Sequence, residues 1–546
     1  MNPSLNRRAA DADVCLLLEG TFPFVRGGVS SWVNEMLRAY PHLRFAVVFI
    51  GSREEDYQGA AYALPDNVVH FEAHYLYATA AGVEHKPREV AGDPAAFAQS
   101  ARLHEALRGA NGRQGAGGDS STSVAALMAQ MAPTLGAHGM LNEKQFSTSR
   151  AAWDFIVDQY ERHCTDPSFT DYFWTVRIMH KPLWQLANVA EQLPPARVYH
   201  TVSTGYAGFL GTLLHYRSGR PLLVSEHGIY TKERKIDLLQ SQWIRDNRGA
   251  FERDISRISY FRELWVRFFE ALGRLAYDAA DEIVALYEAN RLRQIADGAP
   301  AAKTRSIPNG VDVEALAPLV ERRIDGPRRV VALIGRVVPI KDIKTFIRAM
   351  FVASHSMPDI EGWIVGPEEE DPAYALECRA LVESLGLASR VKFLGFQRID
   401  AVLPKVDLIA LSSISEALPL VVLEGFAAGV PSITTDVGSC RQLIEGYGDE
   451  DRALGSAGAV VPIADPAQFA RAALALLDDD TRWRAAQQAG LARVRRYYTK
   501  AQMTDRYAAL YTRLAAAPDA RPAAGAADAM GGCPVPHGAK PAKETR

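Results

Sequence analysis

Short apolar runs alternate with helix-forming stretches along most of this 546-residue chain, and that alternation limits the fold more than any single residue does. Parallel strands buried on both faces read as near-continuous apolar runs, and each needs a covering crossover helix to reach the next. In the first half the runs are Val14–Glu19, Phe45–Ile50, Val68–Phe71, Val198–Thr201, Leu222–Ser225 and Ile283–Leu286. In the second they are Val330–Ile334, Gly362–Val365, Val391–Leu394, Leu408–Leu411, Ser432–Thr434 and Ala459–Val461. The pattern predicts an α/β chain of two doubly wound domains, and the length is more than one ordinary core accommodates. A Pro-Asn-Gly turn within Ile307–Asp312, followed by the charged stretch Glu321 to Arg329, marks the break. The first domain is expected over 1–312, with an insertion at about 75–150, and the second over 313–498. Within the insertion the glycine-rich Gly109–Asp119 predicts a flexible loop, and the Ala/Gly/Pro-rich residues 516–546 predict a disordered tail.

The bulk numbers exclude several classes. A hydrophobic fraction of 48% and a charged fraction of 23% are those of a soluble globular protein. The net charge of −3 offers no general attraction to nucleic acid or anionic lipid. No 18-residue apolar span occurs, so no direct membrane insertion is expected. The five cysteines (Cys15, Cys164, Cys378, Cys440, Cys533) are scattered without a Cys-x-x-Cys pair, which together with the absence of a signal-like N-terminus predicts a cytoplasmic protein.

Chemistry concentrates at four places. After the run ending at Leu411 stand Glu416 and Glu424, eight positions apart with an almost wholly apolar interval. A helix over Pro419 to Ala428 would aim its first N–H groups at the crevice holding Glu416, and a carboxylate beside an anion site suits a nucleotide sugar. After Val330–Ile334 come Gly335, Arg336 and Lys341, a glycine and two cations at a strand-to-helix turn suited to a diphosphate. Third, the segment Glu19–Trp32 follows the first strand and carries Gly27 and Gly28 before a helix expected to be capped by Ser30 or Ser31. It lacks the Gly-x-Gly-x-x-Gly spacing of a dinucleotide site. Fourth, Glu226 and His227 end the strand at Leu222–Ser225, with Glu226 placed to contact acceptor or to orient His227. No Asp-x-Asp metal motif stands at a strand end.

The Glu-x7-Glu pair with the Arg…Lys pair resembles the retaining GT-B glycosyltransferases of the family-4 type, and the run Glu-Gly-Thr-Phe-Pro-Phe-Val-Arg-Gly-Gly-Val-Ser-Ser-Trp from Glu19 resembles the PelF group of bacterial Pel exopolysaccharide synthesis. Ser225–Arg234 and Trp174–Arg177 are similar to further segments of that group, and the likeness spans most of residues 13 to 515. It implies a GT-B architecture, two Rossmann-like domains facing across a cleft, with a terminal helix at 499–515 crossing back to the first. It implies a metal-independent, retaining transferase without cofactor, moving a hexose or N-acetylhexosamine from a UDP-sugar onto a polysaccharide acceptor beside inner-membrane Pel proteins. On this resemblance Arg336 and Lys341 meet the diphosphate, Glu416 and His227 the sugar, and Glu424 the ribose. Gly27, Gly28, Glu226 and the backbone at Leu418 and Leu420 complete the substrate contacts. A non-hydrolysing UDP-sugar epimerase and a non-catalytic nucleotide-binding subunit of an export assembly are the competing readings.

Overall fold

A computed structural model describes residues 7–57, 59–77, 89–110, 123–247, 258–323 and 326–516. The first sheet is wholly parallel, with strands β1 (Ala12–Glu19), β2 (Phe45–Gly51), β3 (Val68–Tyr75), β4 (Ala196–Thr201), β5 (Leu222–Glu226), β6 (Glu282–Ala285) and β7 (Thr304–Ser306) in the order β3-β2-β1-β4-β5-β6-β7. The second, also parallel, contains β8 (Val330–Ile334), β9 (Glu361–Val365), β10 (Val391–Gly395), β11 (Leu408–Leu411), β12 (Ser432–Thr435) and β13 (Gly458–Val461) in the order β10-β9-β8-β11-β12-β13. Leu16, Leu17 and Leu18 are all buried because helices cover both faces of the first sheet. Both sheets reverse their winding beside their first strand, between β1 and β4 and between β8 and β11. In open α/β sheets, ligands bind outside the carboxyl ends of the strands at such reversals.

Strand β7 escapes a sequence reading because Thr304, Arg305 and Ser306 show no apolar run. The insertion between β3 and β4 is more ordered than its composition suggests. Helices Pro94–Ala110, Val124–Met131, Glu143–Thr148, Arg150–His163 and Phe169–Gln192 make up most of its described residues, so Gly109 and Ala110 end a helix rather than belong to a loop. The rest of the glycine-rich stretch, residues 111–119, lies outside the described residues, as do 517–546 of the tail.

The passage between the sheets occurs at the Pro-Asn-Gly turn. Val311 N–H donates to Tyr498 O (2.9 Å) and Lys500 N–H to Val311 O (3.0 Å), so the outgoing and returning chains are stitched side by side. A Cβ at Gly310 would lie 2.3 Å from Thr499 O, which restricts this position to glycine. Helix Lys500–Ala515 then packs on the first sheet, where Tyr507 Oη donates to Ser225 Oγ (3.1 Å) and Tyr511 Oη pairs with His200 Nδ1 (2.8 Å). Just before it, Arg493 in helix Asp480–Tyr497 is wholly buried, holding Asp451 at 2.6 Å and donating to the carbonyls of Ile444, Asp451 and Gly455.

Candidate active site

The second sheet gathers its charged residues at the β8/β11 reversal. Lys341 closes a short turn, Pro339–Lys341, and its Nζ is ion-paired with Glu416 Oε1, which also accepts from Ser413 Oγ (2.7 Å). Backbone bonds fix this meeting: Ile414 N–H donates to Ile340 O (2.9 Å), and Ser412 Oγ donates to Lys341 O (2.9 Å). Asp342, at φ 46°, caps helix Ile343–Ser354 through Thr345 N–H (3.3 Å) and so holds the turn against that helix. The loop after β12 supports Glu416 from below. Gly438 has φ +53°, and a Cβ there would lie 2.1 Å from Glu416 O.

Glu424 stands one turn inside helix Leu420–Ala427, and no hydrogen bond to its carboxylate occurs among the described residues. Burial alone raises its pKa above the ordinary 4.5, as expected of an acid set in an apolar wall without a partner. Pro419 precedes the helix, and the N–H groups of Leu420 and Val421 lie in its first turn, where no intrahelical acceptor exists. Leu418 turns its side chain into the core and Leu420 is half-buried, so both reach the crevice only through backbone.

Arg336 behaves differently from Lys341. It lies at the surface, 54% exposed, with Nη1 2.6 Å from both oxygens of Glu370. Gly335 before it donates to Val365 O (2.8 Å), and a Cβ on neighbouring Gly366 would lie 2.0 Å from Gly335 O. Both cations thus occupy the reversal, each held by a carboxylate.

The first sheet contributes a pocket of about 370 Å³ outside the carboxyl ends of its strands, lined by Glu19, Thr21, Ser203, His227, Tyr230 and Arg234 among others. Glu19, at the end of β1, accepts from Tyr230 Oη (2.8 Å), Ser203 Oγ (3.2 Å) and Ala207 N–H (3.3 Å). Arg234 approaches it to 3.9 Å and lies over the Phe269 ring. His227 packs edge-on against Trp32 with ring centroids 4.7 Å apart, and its Nε2 has no hydrogen-bond partner among the described residues. Burial lowers its pKa from 6.5 to about 4, so the imidazole is neutral at physiological pH.

Two expectations from the sequence need correction here. Glu226 does not orient His227: its carboxylate accepts from Thr204 Oγ1 (3.0 Å), Tyr277 Oη (2.5 Å), Gln294 Nε2 (3.0 Å) and Tyr230 N–H (3.3 Å), a set that ties the end of β5 to the loop after β4, to the helix that follows and to the helices on either side of β6. Nor do Ser30 or Ser31 cap the first helix, which already begins at Gly28 with Gly27 as its cap and no side-chain bond. Gly27 and Gly28 are exposed, and a Cβ on either meets nothing within 4 Å, which leaves open space above this helix start. Sequence reasoning passed over Glu19, Tyr230 and Arg234 as site residues. The signal for Glu19 is its place at the end of β1, directly before Gly20 with φ +62°.

The two halves adjoin. Glu288 N–H, after β6, donates to Gln442 Oε1 (3.4 Å) behind β12. Tyr287 is pushed up to about 12 by burial and then by Cys440 and Glu233, while the Cys440 thiol is pushed up to about 12 by burial and then by Glu416. Tyr287 and Cys440, one from each half of the chain, belong to a single apolar core cluster.

Two parallel, doubly wound sheets, one in each half of the chain, are the architecture of the GT-B class of glycosyltransferase fold. Residues 12–302, more than half of the chain, match the family described as "Domain of unknown function (DUF3492)", and the chain belongs to that family. Residues 328–479 match the description "Glycosyl transferases group 1". Among curated proteins, the chain is 28% identical over 237 residues to the lipopolysaccharide core biosynthesis mannosyltransferase LpsB of Rhizobium meliloti, covering 40% of this chain and 65% of that one. It is 31% identical over 189 residues to the D-inositol 3-phosphate glycosyltransferase of Corynebacterium glutamicum, covering 31% and 42% respectively. The chain thus spans less than two thirds of the length of these relatives. Among solved structures, Anabaena HepE in complex with UDP and glucose aligns over 92% of this chain and 99% of its own at 14% identity and a TM-score of 0.51. Sucrose-phosphate synthase from Thermosynechococcus elongatus aligns over 92% and 99% at 15% identity and 0.53.

Proposed function

We propose that the protein is a retaining glycosyltransferase that moves a hexose or N-acetylhexosamine from a UDP-sugar onto a growing exopolysaccharide of the Pel type. The observation that carries this reading is the ion pair of Lys341 with Glu416 at the reversal of the second sheet, with Glu424 on the helix that follows. Arg336 and Lys341 exchange their carboxylate partners for the donor diphosphate, and offset the charge that grows as the bond from the sugar C1 to the phosphate oxygen breaks. Two side-chain cations fill this role in place of a divalent metal. Glu416 accepts from sugar hydroxyls and Glu424 from the ribose hydroxyls, for which its unpartnered carboxylate is free.

In this reading the acceptor hydroxyl approaches on the face from which the diphosphate leaves. Its oxygen bonds to C1, and its proton passes to the departing phosphate, so no side chain serves as base. His227, neutral and with a free Nε2, contacts the donor sugar, and the pocket around Glu19, Tyr230 and Arg234 receives the acceptor. The resemblance of Glu19–Trp32 to the PelF group supports the exopolysaccharide assignment, with partner proteins at the inner membrane supplying location. No helix among the described residues is long and apolar enough to cross a membrane. The shared fold of structures solved with UDP, with UDP and glucose, and with UDP-glucose supports the choice of donor. Incubating the protein with UDP-glucose, UDP-N-acetylglucosamine or UDP-N-acetylgalactosamine and a polysaccharide acceptor tests it: one donor should release UDP only when acceptor is present.

A further inference from the structure

The helical insertion and the helix Tyr260–Ala279 line a partly open cavity of about 440 Å³ that the transfer reaction does not use. Helices Pro94–Ala110, Val124–Met131, Arg150–His163, Phe169–Gln192 and Tyr260–Ala279 supply most of its wall, which is dominated by Leu, Met, Phe and other apolar side chains. Native interiors contain few voids larger than a water molecule, and an apolar void costs stability in proportion to its volume. This volume falls instead within the roughly 300–1,000 Å³ range of small-molecule sites.

The lining is selective in charge as well as in polarity. Arg108 and Arg267 line the cavity, and among the described residues no Asp or Glu does. Arg108 is held by Gln159 at 2.7 Å and pairs with Glu105 at 3.4 Å, and Arg267 is ion-paired with Glu263; both carboxylates stand outside the lining with 67% and 46% of their side chains exposed, so an incoming anion competes with them from the solvent side. Deeper in the wall, His104 and His180 lie stacked with ring centroids 5.8 Å apart, and each donates its Nδ1–H to a carbonyl one turn back in its own helix, Ser100 O and Val176 O, both at 2.8 Å. Burial lowers both pKa values, that of His180 to about 4, so these rings stay neutral and place no charge inside.

An apolar chamber with cations and no carboxylate in its wall suits an amphiphile with a single chain and an anionic head. We propose that this cavity binds one long-chain fatty acid, its chain among the Leu, Met and Phe side chains and its carboxylate at Arg108 and Arg267. Such a ligand would couple the insertion to lipid, independently of the nucleotide crevice.

The test uses the full chain and cis-parinaric acid, whose fluorescence rises in an apolar site, with oleate and oleyl alcohol as competitors. Saturable binding displaced by oleate is expected. Ala271→Trp and Leu264→Trp, which fill the chamber from one helix, should each weaken binding at least tenfold while cooperative melting persists. Arg108→Gln combined with Arg267→Gln should weaken oleate about tenfold and leave oleyl alcohol within twofold. Absence of saturable binding to the unmodified chain would overturn the proposal, as would unchanged binding in whichever tryptophan variant still melts cooperatively. Equal loss of oleate and oleyl alcohol in the arginine variant would overturn the anionic head.

Discussion

Lys341 and Glu416, 75 residues apart in sequence, form an ion pair across the β8/β11 reversal, so the second sheet carries its cation and its carboxylate already engaged with each other. Both side chains are largely buried, and a diphosphate entering this site must take the lysine from the glutamate. Replacing Lys341 by Ala removes a donor aimed at charge that develops in the transition state. Turnover should fall on the order of 10²–10³-fold, measured as acceptor-dependent UDP release. Because the same change leaves Glu416 half-paired, melting should be followed beside it; a loss of turnover without loss of folding is the expected pattern.

Arg336 gives the contrasting case. Its pair with Glu370 is exposed on both sides, and exposed pairs contribute about 0–1 kcal/mol to stability. Glu370→Gln should therefore leave the melting temperature unchanged and tighten UDP severalfold, since a carboxylate that competes with the diphosphate is gone. Arg336→Ala should weaken UDP with equally little effect on melting. Titration calorimetry of the two variants separates these directions.

Buried histidines set a pH dependence of stability. Burial lowers His227 and His180 to about 4 and His200 to about 3, from 6.5. The unfolded chain binds protons at these groups first, so stability present above pH 6.5 is lost as pH falls through the window toward 4 and 3. At 1.36 kcal/mol per pKa unit, each group contributes on the order of a few kcal/mol. Chemical denaturation at pH 7 and pH 5 should show a marked fall, and His180→Phe, which removes one titrating ring, should reduce it.

Arg493 and Asp451 form a wholly buried pair, and breaking such a pair strands a charge at a cost of roughly 3–5 kcal/mol. Asp451→Ala should lower the unfolding free energy by that amount in a urea titration, far more than removal of an exposed partner such as Glu450 of the Arg496 pair.

Much of this organisation is legible in the sequence because apolar runs such as Leu16–Leu18 and Val330–Ile334 mark strands buried on both faces. Strand β7 is not, since Thr304-Arg305-Ser306 lies at the sheet edge and carries no apolar signal. The two glutamates and two cations of the second sheet could be found by their places after strands, because parallel topology delivers strand ends to one edge. Their pairing could not: that Lys341 meets Glu416 while Arg336 turns out to Glu370 depends on the loop bonds from Ile414 and Ser412. Glu226 misleads for a related reason. Its partners Tyr277 and Gln294 are 51 and 68 residues away, and only the fold reveals that its carboxylate is enclosed.

The division of labour between Glu416 and Glu424 tests the account most directly. UDP carries the ribose but not the transferred hexose, and loss of a charged hydrogen-bond partner costs about 1.5–3 kcal/mol. Titration of UDP into the two variants should therefore show Glu424→Ala weakened by about 10- to 150-fold and Glu416→Ala close to the unmodified chain, with transfer lowered in both. Abolition of UDP binding by Glu416→Ala with retention in Glu424→Ala would contradict it.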